Sequence, residues 1–413
     1  MTASTILNVF AGGTYYYGFT VFFNPIKETF GWSSAVTSVA FSFRRLESGL
    51  AGPVAGFLVD KLGPRKLMLF GWFVFGLGFL WMSRIESLFT FYAAFVLAAI
   101  GASFGSFIVM NAAIAYWFRK KRSRAMSITY VGMGISGVLA PLLAWGITRY
   151  GWRDTLVYAG VSMWAVGIPL SLLMRSRPSQ YGYLPDGEPM TTTDQPAIST
   201  NPHLVSKSVR TDLASPIRDF TVKMALRTRA FWLLAFVYLF QQVGVNALMV
   251  HLVPALESVN VPTTIAAGAV TGLTLFSLIG RLGVGFLGDF VNKRYLIAGS
   301  FVLQFIGLVL FTFVNADRAW LIVPFLLVYA TGYGGPTPLR PAMQADYFGT
   351  KNFGTILGLL SLVSLFGGLA SPVVAGWIFD TYGDYTRAWQ LFALITLLGI
   401  PLILLAKPPK IHK

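Results

Sequence analysis

Apolar residues run along this chain in repeated blocks of about 20, each long enough to cross ~30 Å of hydrocarbon as an α-helix, and short polar breaks separate them. Reading blocks against breaks predicts spans near 5–23, 34–59, 67–83, 88–117, 125–148, 155–174, 230–253, 263–288, 295–314, 319–347, 353–378 and 388–406. The 55-residue stretch 175–229 is rich in Ser, Thr, Pro and charge and contains no span. It reads as a linker with a short amphipathic helix near Ile217–Arg229. The pattern predicts an all-α membrane protein with twelve transmembrane helices in two six-helix, pseudo-symmetric bundles. Its segments are 1–174, the linker 175–229, 230–406 and a tail, 407–413.

Composition agrees: 55% of the residues are apolar, 12% are charged and the mean hydropathy is +0.64, where a soluble domain carries roughly 25% charged residues. The net charge of +16 is unevenly placed. Loops on the side of the two chain ends, together with the end of the tenth span, hold 23 Lys and Arg, the opposite loops hold six, and Arg44, Arg45 and Arg281 lie deeper within spans. Positive charge collects on the cytoplasmic side of membrane proteins, so both termini and 175–229 are expected there, in a cell inner membrane. The charge is thus a topology signal and excludes nucleic acid as a partner. The N-terminus, Met-Thr-Ala-Ser-Thr, lacks the basic region of a secretory signal, so the first run is expected to stay as a helix. With no cysteine, three scattered histidines and no carboxylate pairs inside spans, no metal site, cofactor or catalytic residue is expected, and the chain does not read as an enzyme.

The chain repeats itself. Gly56-Phe-Leu-Val-Asp60 matches Gly285-Phe-Leu-Gly-Asp289 at an offset of 229, Trp117-Phe118 matches Tyr347-Phe348 at 230, and Gly137-Val-Leu-Ala-Pro141 matches Gly368-Leu-Ala-Ser-Pro372 at 231. Near-constant offsets imply two homologous halves in the same orientation with a central site between them. The run Gly56-Phe-Leu-Val-Asp60-Lys61-Leu-Gly63-Pro-Arg65-Lys66 resembles the loop between helices two and three of the major facilitator superfamily. Tyr17-Gly-Phe-Thr-Val-Phe-Phe-Asn24-Pro25-Ile-Lys27 and Gly280-Arg281 through Asp289 are similar to its monocarboxylate-porter and oxalate:formate-antiporter branch. The resemblance implies a charge lock at the cytoplasmic gate, in which Asp60 and the flanking Lys61, Arg65 and Lys66 hold the halves in one state, with Asp289 as the repeat counterpart.

Charge at bilayer depth costs about 2.5–3.5 kcal/mol per residue on insertion scales, so each such group needs a reason. Arg281 lies eight residues before Asp289, about 12 Å inward from a helix end, and its repeat counterpart is Gly52. Its planar fork suits a substrate carboxylate, as the matching arginine of the family implies; the alternative is a buried arginine satisfied by carbonyls. Arg44 and Glu47 are spaced to pair, and Arg45 shares a face with Gly49, Gly52 and Gly56, a small-residue stripe for close packing. These three charges lie about 20–24 Å from Asp60 and read as an outer charge network, with proton coupling or substrate entry as the rival readings. Arg340, amid Pro336, Pro338 and Pro341, reads as an inner-gate or packing residue, with contact to substrate as the lesser alternative.

Candidate walls of the site are Tyr17, favoured over Tyr15 and Tyr16 by the resemblance, together with Tyr329 and Tyr333 on one face of the tenth span, Phe107 and Asn111 on one face of the fourth, and Tyr130. The antiporter's second cation, a lysine on the eleventh helix, has no counterpart in 353–378, and Ser277 stands where many monocarboxylate porters carry an aspartate. The expected function is alternating-access transport of a small organic anion, a monocarboxylate first, by a functional monomer, with a proton or counter-anion left open as second partner. The rivals are a carrier of the same fold for an aromatic acid or drug, and a membrane sensor without net transport.

Overall fold

A computed structural model describes residues 1–105, 107–189 and 219–409, with the side chains of 17, 34, 35 and 37–48 outside the description. Among the described residues every long element is a helix, and a single β-bridge, Tyr183 to Pro189, lies in the linker. The first pass joins Thr2–Ala11, a π-helical turn Gly12–Tyr17 and Phe19–Phe30. Ser34–Leu62, Pro64–Met82 and the pair Leu88–Gly105 and Phe107–Trp117 make passes two to four. The fifth begins at Arg122–Ile135 and runs through a 3-10 turn into Leu139–Ser162, where Gly151 (φ 82°, ψ 163°) breaks the helix and starts the sixth, which ends with Ile168–Leu173. The second set is Arg229–Ser258, Thr263–Leu287, Lys293–Phe311, the tenth pass in two segments, Ile322–Gly334 and Pro336–Phe348, then Phe353–Tyr382 and Thr386–Leu405.

Nine described helical stretches are long and apolar enough to cross a membrane. One of them, 122–173, carries two passes across Gly151. The first pass is split by its π-turn and the second is only partly described, which accounts for the other two of twelve.

Local chemistry fixes the ends. Ser33 Oγ accepts from Val36 N–H, and Thr228 Oγ1 from Phe231 N–H, each supplying one of the unpaired donors at a helix start. Gly63 (φ 83°) ends the second pass and Pro64 opens the third, so one residue turns the chain. The first pass outruns its predicted end at 23. Lys27, Glu28 and Thr29 look like a polar break, but the helix continues through Pro25 until Gly31 turns left-handed (φ 65°) and donates to the Lys27 carbonyl. The linker helix is shorter than predicted: Val222–Leu226, capped by Thr221. Residues 190–218 and 410–413 of the expected linker and tail lie outside the described residues.

Large apolar side chains such as Phe89, Trp145, Phe290 and Trp377 are exposed, a surface suited to lipid rather than water. Since lipid is as apolar as leucine, helices associate in it through close packing over small residues. The halves meet along the second and eleventh passes and along the fifth and eighth. The small-residue stripe predicted on the second pass lies at this contact. A Cβ on Gly56 would collide with the Gly354 carbonyl, and one on Gly358 with the Gly52 carbonyl.

Candidate functional site: a central cavity behind a hydrogen-bonded gate

At the end of the bundle that carries both chain ends, aspartates of each half cap helices of the other. Asp60 Oδ1 accepts from Gly354 N–H (2.9 Å) and the Tyr116 hydroxyl (3.1 Å), while Oδ2 accepts from Thr355 N–H (2.8 Å) and Oγ1 (2.7 Å). Asp289 Oδ1 accepts from Ser123 N–H (2.9 Å), and Oδ2 from Arg124 N–H (3.4 Å) and Nε (2.9 Å). Each carboxylate therefore meets the positive end of a helix dipole with its first N–H groups unpaired. A third contact joins Arg122, 3% exposed, to Asp346 (2.7 Å), whose other oxygen binds Lys293 (2.8 Å).

The aspartates of the predicted lock hold the halves together, but the flanking cations do not. Lys61, Arg65 and Lys66 form no ion pair among the described residues, and Lys61 lies over the Phe57 ring. Backbone N–H groups do that work, with Arg122, Arg124 and Lys293 as the paired cations.

Behind this gate lies a cavity of about 340 Å³ between the halves, at the small end of ligand pockets. Its walls come from both halves: Tyr16, Phe107, Asn111 and Tyr130 on one side, and Tyr238, Gln242, Thr337, Arg340, Ser361 and Ser364 on the other. Asn111 Nδ2 donates to Tyr130 Oη (2.8 Å), and Phe107 packs between Tyr16 and Tyr130 with ring centroids 6.2 and 5.6 Å away. Arg340 lies over the Tyr238 ring (4.8 Å), and the Tyr238 hydroxyl donates to the Arg340 carbonyl (2.7 Å). No acidic residue is among the described lining.

Arg281 is 5% exposed and bridges the halves beside this cavity. Its Nη1 donates to the Tyr130 carbonyl (3.1 Å), its Nη2 approaches the Tyr333 hydroxyl (3.5 Å), and Nε has no partner. It forms no ion pair among the described residues. One carbonyl satisfies one nitrogen, a hydroxyl stands at the limit of hydrogen-bond reach from another, and the Nε–H is unused.

Of the predicted walls, Phe107, Asn111 and Tyr130 line the cavity, and Tyr333 touches Arg281. Tyr329 does not reach it; the side chain is 1% exposed, stacked on Phe325 in the core of the second half. Tyr16 lines the cavity and Tyr15 is packed against Phe75 and Phe95, while the side chain of Tyr17 lies outside the described residues. The same holds for Arg44, Arg45 and Glu47. Arg340, read as a gate or packing residue with substrate contact as the lesser alternative, lines the cavity. Ser361 and Ser364 escaped attention, although with Leu357 and Leu365 they form an i, i+4, i+7, i+8 face on the eleventh pass. Asp346 was missed because it sits at a span end, where charge is ordinary. Among the described residues no group of three His, Asp or Glu could hold a metal.

The chain is similar in sequence to the Oxalate:formate antiporter of Oxalobacter formigenes (27% identity over 370 residues, 87% of this chain and 82% of that protein). It is also similar to Monocarboxylate transporter 13 of Bos taurus (24% over 383 residues, 92% and 82%). Its fold resembles that of the fucose:proton symporter of E. coli (TM-score 0.72, 13% identity, 98% and 97% covered) and of a human organic anion transporter (TM-score 0.67, 14% identity, 97% of each). The family model of the Major Facilitator Superfamily matches residues 5–336 and 234–413. With twelve passes in two repeated bundles around a central cavity, the chain is a multi-pass membrane carrier, not an enzyme, and belongs to the major facilitator superfamily.

Proposed function

We propose that this chain carries a small carboxylate across a cell membrane by alternating access, with Arg281 as the group that receives the carboxylate. The observation that carries this reading is a buried arginine at the contact between the halves, without an acidic partner among the described residues and with an unused Nε–H. An uncompensated charge at this depth is costly, and a bidentate carboxylate satisfies it. The names of the relatives, an oxalate:formate antiporter and monocarboxylate transporters, support the same class of solute. A monocarboxylate needs only this one fork.

In this reading 1–174 and 230–406 rock about the cavity, and the linker 175–229, both termini and the aspartate gate face the cytoplasm. Substrate that docks at Arg281 competes with the Tyr130 carbonyl for Nη1, which loosens one contact between the halves as it binds and favours reorientation. A monomer contains the whole site. The test is uptake into proteoliposomes of labelled formate, lactate and oxalate, beside a neutral sugar and a cationic drug, with and without a pH gradient. Saturable carboxylate uptake alone supports the reading, and dependence on the gradient distinguishes proton coupling from exchange. Saturable uptake of the sugar or the drug without carboxylate uptake overturns it.

A further inference from the structure

We propose that Arg340 is a second anion-binding residue of the central cavity, so that the preferred substrate is a small dicarboxylate rather than a monocarboxylate; this rests on the carboxylate reading above. Arg340 lines the cavity directly, and among the described residues its guanidinium lies over the Tyr238 ring and forms no ion pair. The ring face holds the cation without neutralising it, and the Tyr238 hydroxyl on the Arg340 carbonyl fixes the backbone there. The basic side chains that join the halves at the gate differ. Arg122 is paired with Asp346, Arg124 with Asp289 and Lys293 with Asp346. Among the described residues neither Arg281, at the contact between the halves, nor Arg340, in the cavity wall, pairs with a carboxylate.

The repeat argues that this charge is not a packing feature of the fold. At the offset of 230 that relates Trp117 to Tyr347, Arg340 corresponds to Met110, a buried core residue. Arg281 corresponds to Gly52. Both cations thus belong to the second half, and the first half supplies neutral donors and rings. Arg340 in the wall of a cavity whose described lining has no acid, and Arg281 beside that cavity, leave two positive charges to be compensated, each costly at bilayer depth. A monocarboxylate compensates one. A dicarboxylate compensates both, and each carboxylate receives charge-assisted hydrogen bonds.

The test compares pairs of equal carbon number, propanoate with propanedioate and butanoate with butanedioate, by ligand-induced thermal shift and by competition in uptake. Wild type, Arg340→Gln and Arg340→Lys are measured as full chains. Wild type is expected to bind the dicarboxylate at least about tenfold more tightly than its monocarboxylate partner. Arg340→Gln collapses that ratio to near one, and Arg340→Lys, which keeps the charge and also covers the case of a poorly folding glutamine variant, retains part of it. A wild-type ratio near one, or a ratio unchanged in Arg340→Gln, overturns the proposal. Monocarboxylate binding that disappears in Arg281→Ala separates that failure from failure of the carboxylate reading, in which neither acid binds.

Discussion

Asp60 and Thr355 lie in opposite halves, yet one carboxylate oxygen of Asp60 takes both the backbone N–H and the hydroxyl of Thr355, at 2.8 and 2.7 Å. The repeat produces the same relationship a second time. Asp289 binds the N–H groups of Ser123 and Arg124, which stand at an offset of 231 from Gly354 and Thr355. Two equivalent acids thus close one face of the carrier by capping helices that are not their own.

Removing either cap opens that face. Asp60→Ala leaves two N–H groups of the eleventh pass without their acceptor, a loss of about 1–2 kcal/mol for a helix cap, and shifts the closed-to-open ratio roughly tenfold. Spin labels at positions 120 and 351, on the gate loops of the two halves, report this as growth of the longer distance. Asp289→Ala is expected to behave alike, and Thr355→Val to have a smaller effect because the backbone bond survives. An unchanged distance distribution in both alanine variants contradicts the capping account.

The Arg122–Asp346 pair makes a separate contribution. Arg122 is buried and also donates to the carbonyls of Phe118 and Ala115, so it keeps partners when Asp346 is changed, and Asp346 is partly exposed. The expected cost of Asp346→Asn is therefore below the about 3–5 kcal/mol of breaking a fully buried pair. A thermal-unfolding cycle with Arg122→Gln should give a coupling of roughly 1 kcal/mol or more. Additive effects remove the pair from the gate.

At Gly56 the obstacle is steric. Any Cβ meets the Gly354 carbonyl, so Gly56→Val is expected to block closure of the gate face and abolish transport while leaving helicity, measured by circular dichroism, intact. Normal transport by Gly56→Val would show that the second and eleventh passes separate enough for Cβ to fit throughout the cycle.

The 23-to-6 distribution of Lys and Arg predicts that the chain ends and the linker face the cytoplasm. The chain has no cysteine, so single cysteines report cleanly. At Ser87, an exposed position before the fourth pass, an impermeant thiol reagent should label intact cells; at Ser179, an exposed linker position, it should label only after permeabilisation. The reverse pattern inverts the topology.

Much of this was legible because the bilayer imposes a strong pattern. Hydrophobic blocks locate the passes, repeat offsets pair Asp60 with Asp289, and helical spacing places Phe107 and Asn111 together. What escaped was set by tertiary geometry. Which of three consecutive tyrosines faces inward depends on a π-helical turn, Gly12–Tyr17, that changes the angle between successive side chains. Tyr329 and Tyr333 share a face, but that face is divided between a packed core and the contact with Arg281. Arg340 looks like a gate residue from its proline neighbours, and only the packing of the tenth pass against Tyr238 turns it toward the cavity.

The central claim is that Arg281 receives the substrate carboxylate, and carboxylate binding to wild type, Arg281→Lys and Arg281→Ala measures it most directly. Ligand-induced thermal shift in detergent and uptake in liposomes are read together on protein of verified helicity. The account predicts loss of binding in Arg281→Ala and weak binding in Arg281→Lys, where an ammonium keeps the charge but loses the planar fork. Near-normal carboxylate binding and transport by well-folded Arg281→Ala would contradict it and leave Arg281 as a bridge between the halves, held by the Tyr130 carbonyl.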